Sequence, residues 1–143
     1  MQEQIEVVVA NDGAGGLTQA LEASELKFVS VVGCVADAFT EVLNSHPHLV
    51  LVGVTTTGNY GIELCRAIKA CAETRGIPVV LVAEGTTKVQ EKPAFTYGCL
   101  DYLSPKDNPE EFLPKMRSYC KLGKLEKSIR RMLKIVDSKG DKL

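Results

Sequence analysis

Two kinds of apolar pattern alternate along the chain. Ile5 to Ala10, Lys27 to Gly33, Leu49 to Val54, Val79 to Val82 and Cys99 to Leu103 are short runs rich in β-branched and aromatic residues, the mark of strands. Between them, apolar residues recur every three or four positions. Leu17, Ala20, Leu21 and Ser24 form one such set, Val35, Ala38, Phe39, Val42 and Leu43 a second, and Ile62, Leu64, Cys65, Ile68 and Ala72 a third. Pro47 breaks the second of these helices, and Gly76 and Pro78 follow the third. Gly85 to Tyr97 predicts a weaker helix, because Pro93 lies within it. Asp107 or Asn108 can cap a last helix that has Pro109 in its first turn. The third and fourth strands are apolar at every position, as expected of central parallel strands buried on both faces. Five strands alternating with five helices predict an α/β domain, a parallel sheet with helices on both faces. Its functional groups then belong at the carboxyl ends of the strands, in the loops at 10–16, 53–61, 83–87 and 104–107.

The chain has 143 residues, the usual length of one domain, and a formal net charge of −1, so no overall field draws it to nucleic acid or to an acidic membrane. Its longest apolar runs are far too short to span a bilayer, and Met-Gln-Glu-Gln has no secretory signal character; a cytoplasmic location is expected. Five cysteines, Cys34, Cys65, Cys71, Cys99 and Cys120, are odd in number and contain no Cys-x-x-Cys pair. They read as small apolar residues in a reducing compartment rather than as a disulfide framework or zinc site. The two histidines, His46 and His48, flank Pro47 in a loop and are too few for a metal site.

The stretch from Pro47 to Arg66, Pro-His-Leu-Val-Leu-Val-Gly-Val-Thr-Thr-Thr-Gly-Asn-Tyr-Gly-Ile-Glu-Leu-Cys-Arg, resembles the third strand and following helix of CheY-like receiver domains. Val31 to Ala38, Ile77 to Val80 and Gly98 to Leu103 match the same family in the same order and spacing, so that the resemblance covers about residues 5–120. It implies a three-layer, flavodoxin-like sheet of five parallel strands in the order 2-1-3-4-5. It also implies a signalling role in a two-component pathway rather than an enzymatic one. Receivers take a phosphoryl group onto a carboxylate at the end of strand three. An acidic pair after strand one holds Mg²⁺, and a hydroxyl after strand four and a lysine after strand five stabilise the added charge. The corresponding residues here are Gly53 for the nucleophile, Ala83 for the hydroxyl, and Pro105, with Lys106 one place late, for the lysine. The acidic pair falls on Ala10 and Asn11, or on Asn11 and Asp12 one residue later. The resemblance is therefore to a degenerate receiver that lacks its phosphoacceptor, needs no cofactor and provides poorly for Mg²⁺.

Tyr102 matches the family's switch aromatic, which responds to the strand-four hydroxyl; with Ala83 in that place it is expected to be a half-buried ring on the sheet edge. Asp101 beside it reads as a solvated charge. By the same resemblance a contact face would lie on the fourth helix, fifth strand and last helix, around Tyr97, Tyr102, Met116 and Tyr119. Two alternatives stay open: phosphorylation of a substitute such as Thr55 or Asp12, and a small-ligand site in the vacated space around Asn11, Gly53 and Ala83. Thr55 to Tyr60 also looks like the phosphate loop of flavodoxins, but that loop follows strand one, not strand three. Gly13 to Gly16 lacks the spacing of a dinucleotide site.

Receivers end near residue 120, so residues 1–120 are read as the domain and 121–143 as a helical extension. Leu122, Leu125, Ile129, Met132 and Val136 follow one another at steps of three and four, a heptad seam that suits a homodimer or a lead into a fused output domain. Eight Lys or Arg between Lys121 and Lys142 face three acids, which also fits a solvated basic helix lying over the sheet edge. Pro114 should kink this helix or delay its start, Gly123 should weaken it, and Asp137 to Leu143 should fray. The partner expected is a protein or an attached output domain, with neither nucleic acid nor membrane contacted directly.

Overall fold

The computed structural model describes residues 6–11, 27–54, 59–83, 95–103 and 109–140. The expected first helix over 17–24 and most of the weak helix over 85–97 lie outside these residues. Within them are β1 (Val7–Asn11), β2 (Phe28–Val32), α1 (Val35–Ser45), β3 (Leu49–Val54), α2 (Tyr60–Ala70), β4 (Val79–Ala83), β5 (Asp101–Leu103) and α3 (Pro109–Gly140). The strands form one parallel sheet in the order β2-β1-β3-β4-β5, as expected.

Alternate residues of each strand point to opposite faces, and each face has its own core. On one face Val8, Val50, Val52 and Leu81 meet Ala38 and Val42 of α1 and Leu64, Cys65 and Ile68 of α2. On the other, Val9, Leu49, Leu51 and Val80 meet Phe112, Met116 and Cys120, one stripe of α3 at steps of four. Every residue from Leu49 to Val52 and from Val79 to Leu81 is fully buried, which is why these two strands are apolar at consecutive positions.

Local chemistry sets the element ends. His46 takes a left-handed conformation, φ 45°, and its N–H bonds Val42 O at 3.0 Å, closing α1 before Pro47. His48 is buried and tied to the residue before β1. Its N–H donates to Glu6 O at 2.8 Å, and its Nδ1 accepts the Glu6 N–H at 3.0 Å. α2 ends at Ala70, two residues earlier than the apolar spacing suggests. The buried Thr74 hydroxyl takes the Ile68 carbonyl at 2.7 Å, and Cys71 O accepts the N–H groups of Thr74 and Arg75. Before β5, Gly98 has φ 97°, a conformation that favours glycine.

The last helix departs from expectation in three ways. It starts at Pro109 and runs through Pro114. Pro114 is only the sixth helical residue, so its missing N–H costs one bond, to the carbonyl of the exposed Glu110, which water can reach. Gly123 is not a weak point but a point of closest approach: a Cβ there would lie 1.7 Å from the His48 carbonyl oxygen. Third, Asp137 to Gly140 remain helical. No break occurs at residue 120. Beyond it the helix is strapped to the end of the sheet where the strands begin: Lys127 Nζ donates to His46 O at 3.1 Å, and Arg130 donates to Ala72 O at 2.7 Å and to Glu73 O. No helix among the described residues is long and apolar enough to cross a membrane.

Candidate functional site

β2 lies to one side of β1, while β3, β4 and β5 follow on the other, so the chain reverses direction of travel between β1 and β3. In sheets of this kind the crevice outside the carboxyl ends at such a point is where ligands bind. The residues brought together there are Asn11 at the end of β1, Gly53 and Val54 at the end of β3, and Ala83 at the end of β4. Ala10 pairs with Val52, Gly53 with Val82 and Val54 with Ala83. The sequence-derived site residues Asn11, Gly53 and Ala83 are thus neighbours in the sheet. Asp12, Pro105, Lys106 and the threonines Thr55 to Thr57 lie outside the described residues.

Gly53 and Ala83 are buried, and neither carries a polar side-chain atom. A hard divalent cation takes six or more oxygen ligands, with carboxylates prominent among them. The described strand ends contain no carboxylate, so they do not form such a donor set. Among the described residues no group of three His, Cys, Asp or Glu is disposed to hold a metal ion.

A second polar cluster lies on β5 and α3. Asp101 is not a solvated charge. Its Oδ1 accepts the Tyr102 N–H at 2.8 Å, and its Oδ2 accepts the Tyr119 hydroxyl. Burial, followed by the hydrogen bond to Asp101 and that carboxylate's charge, pushes the Tyr119 phenol up to about 12. The Asp101 backbone carbonyl accepts the Cys99 thiol. Tyr102 is only 8% exposed and Met116 is fully buried, so neither belongs to a surface. Tyr102 packs in the core shared with α1 and α2, and Met116 lies beneath the other face of the sheet. Of the four residues expected on a contact face, Tyr97 is exposed and Tyr119 partly so. Arg66 of α2 stacks 5.0 Å above the Tyr97 ring. Phe95 and Leu100, exposed near Tyr97, were missed by sequence reasoning. The Asp101–Tyr119 pair was missed too; its partners stand 18 residues apart with no spacing rule to connect them.

All five cysteines are free, with Cys65, Cys99 and Cys120 buried and Cys34 exposed. Burial pushes the Cys65 and Cys120 thiols up to about 11. Lys69 is held by two carbonyls, Ile77 O at 2.7 Å and Arg75 O at 2.9 Å, and burial lowers its pKa. A cleft of about 630 Å³ opens between α3 and the loops before β3 and β4, at the opposite end of the sheet from the switch point. Two of its cations, Lys127 and Arg130, are engaged by backbone carbonyls.

No protein-family model matches the chain. It is 30% identical over 112 residues to the DNA-binding response regulator MtrA of Mycolicibacterium smegmatis, covering 78% of this chain and 47% of that protein. It is 29% identical over the same length to MtrA of Mycobacterium tuberculosis, again covering 78% of this chain and 47% of the relative. The chain therefore spans about half the length of the curated relatives it matches. Among solved structures it is similar to a CheY-like response regulator receiver domain protein from Methanospirillum hungatei. That match has a TM-score of 0.67 at 17% identity and covers 87% of this chain and 99% of that one. The chemotaxis protein CheY4 of Vibrio cholerae gives a TM-score of 0.66 at 13% identity, covering 82% and 99%. The strand order and the switch point between β1 and β3 agree with these similarities: the chain has the fold of CheY-like receiver domains and is similar in sequence to response regulators over 112 residues.

Proposed function

We propose that this domain signals by protein–protein contact without aspartyl phosphorylation. Gly53 carries the reading. It sits in β3 one residue before the strand ends, and a phosphoryl acceptor there would need a side chain that glycine does not have. Ala83 at the end of β4 adds to this, since a methyl group cannot donate a hydrogen bond to a phosphoryl oxygen. The domain then has no catalytic step of its own and no use for Mg²⁺. Contact through Phe95, Tyr97 and Leu100 fits their exposure, because aromatic side chains anchor protein interfaces. The relatives are named as DNA-binding, but in this reading the chain touches no DNA itself. It acts in the cytoplasm on a partner protein or on an output domain attached beyond residues 121–143.

The test is intact mass after incubation with a small-molecule phosphodonor and Mg²⁺. An unchanged mass is the expected result. Gain of one phosphoryl group would overturn the reading, and peptide mapping would then distinguish Asp12 from Thr55 as the substitute acceptor.

A further inference from the structure

Beyond Cys120, α3 has one face bound to the body of the domain and another that is exposed among the described residues. Leu122, Leu125, Ile129, Met132, Leu133 and Val136 are between 43% and 66% exposed. At about 100° per residue they fall within one stripe, roughly 140° around the helix from Gly123, Lys127 and Arg130, which hold it to the body. We infer that this stripe is the seam of a parallel, two-stranded coiled coil between two copies of the chain.

Two observations favour a second copy, in parallel. The steps of three and four from Leu122 to Val136 are the period at which one helix packs along another. Counting Leu122 as position a puts the β-branched Ile129 and Val136 at a and Leu125 and Met132 at d, the distribution that favours two parallel strands. Covering these side chains would remove on the order of 500 Å² per copy, somewhat below the roughly 800 Å² of a standard interface. A free helix of two heptads would be marginal. Here the bonds from Lys127 and Arg130 already order the helix, so pairing need not supply that ordering.

This inference stands on α3 alone and is independent of phosphorylation. The test is the solution mass of the full chain by sedimentation from about 1 to 100 µM, where mass action should move it from monomer to dimer. Ile129→Glu and, separately, Met132→Glu should each weaken the dimer at least about tenfold while the far-UV spectrum holds and the melting temperature holds at about 1 µM, where the chain is monomeric, since both positions are exposed. Leu125→Cys should form an interchain disulfide under mild oxidation well above the wild-type background, because a parallel register sets residue 125 against its own copy. A chain that stays monomeric throughout, a dimer indifferent to both glutamates, or a Leu125→Cys dimer that does not cross-link would each overturn the proposal.

Discussion

Replacing Gly123 by alanine sets two effects of opposite sign against each other. Helix propensity alone favours alanine by about 1 kcal/mol in the interior of a helix. Tertiary structure opposes it. The new Cβ would stand 1.7 Å from the His48 carbonyl oxygen and 2.6 Å from its carbon. Ordinary C···O contacts begin at roughly 3.3 Å, so helix and strand entry would have to separate by about 1.6 Å. The obstacle is backbone, and His48 is pinned to Glu6 by two hydrogen bonds, so it cannot turn aside as a flexible side chain would. A shift of the helix would also stretch the bonds from Lys127 to His46 and from Arg130 to Ala72 and Glu73. Overpacking of this kind costs about 1–3 kcal/mol, and losing one or two of those bonds adds about 1 kcal/mol more. Net destabilisation of about 1–3 kcal/mol is expected after the propensity gain. Urea unfolding measures it as a lower midpoint with little change of slope. Ser128→Ala, at an exposed position of the same helix, is the control and should stabilise by about 0.5 kcal/mol. If Gly123→Ala instead raised the midpoint as the control does, the packing of α3 against His48 described above would be wrong.

Tyr119→Phe removes the hydroxyl that Asp101 accepts but leaves the carboxylate its bond from the Tyr102 N–H; a loss of about 1 kcal/mol is expected by urea unfolding, and no loss would mean the pair contributes nothing. The thiols of Cys65 and Cys120 give a pH dependence: unfolded, they release their protons near 9.0, while in the fold they hold them to about 11. Between those values the folded state binds more protons, so the stability contributed by these thiols is complete below about pH 9 and is lost as pH rises towards 11. Urea midpoints taken at intervals from about pH 8 to 11 should fall, and Cys120→Ala should make the fall shallower; an equally steep fall in that variant would rule out Cys120 as a contributor.

Local pattern determined much of this protein. The unbroken apolar runs of β3 and β4 announced a buried parallel core, because a strand covered on both faces can spare no position for a polar side chain. Gly53 and Ala83 at the carboxyl ends of those strands could be read from the sequence because strand ends follow from the same runs. What remained hidden depended on distances across the chain. Helical spacing cannot tell that Met116 faces the sheet, that Asp101 meets Tyr119, or that Tyr102 turns into the core. Each of these follows from how α2 and α3 seat on a finished sheet. Gly123 is the clearest case. In one dimension it is a poor helix residue; in three it is the residue without a Cβ where the helix crosses the backbone of His48, 75 positions earlier in the chain. Periodicity encodes which face of an element is apolar, but it carries no information about which backbone that face will meet, and only the folded packing supplies that.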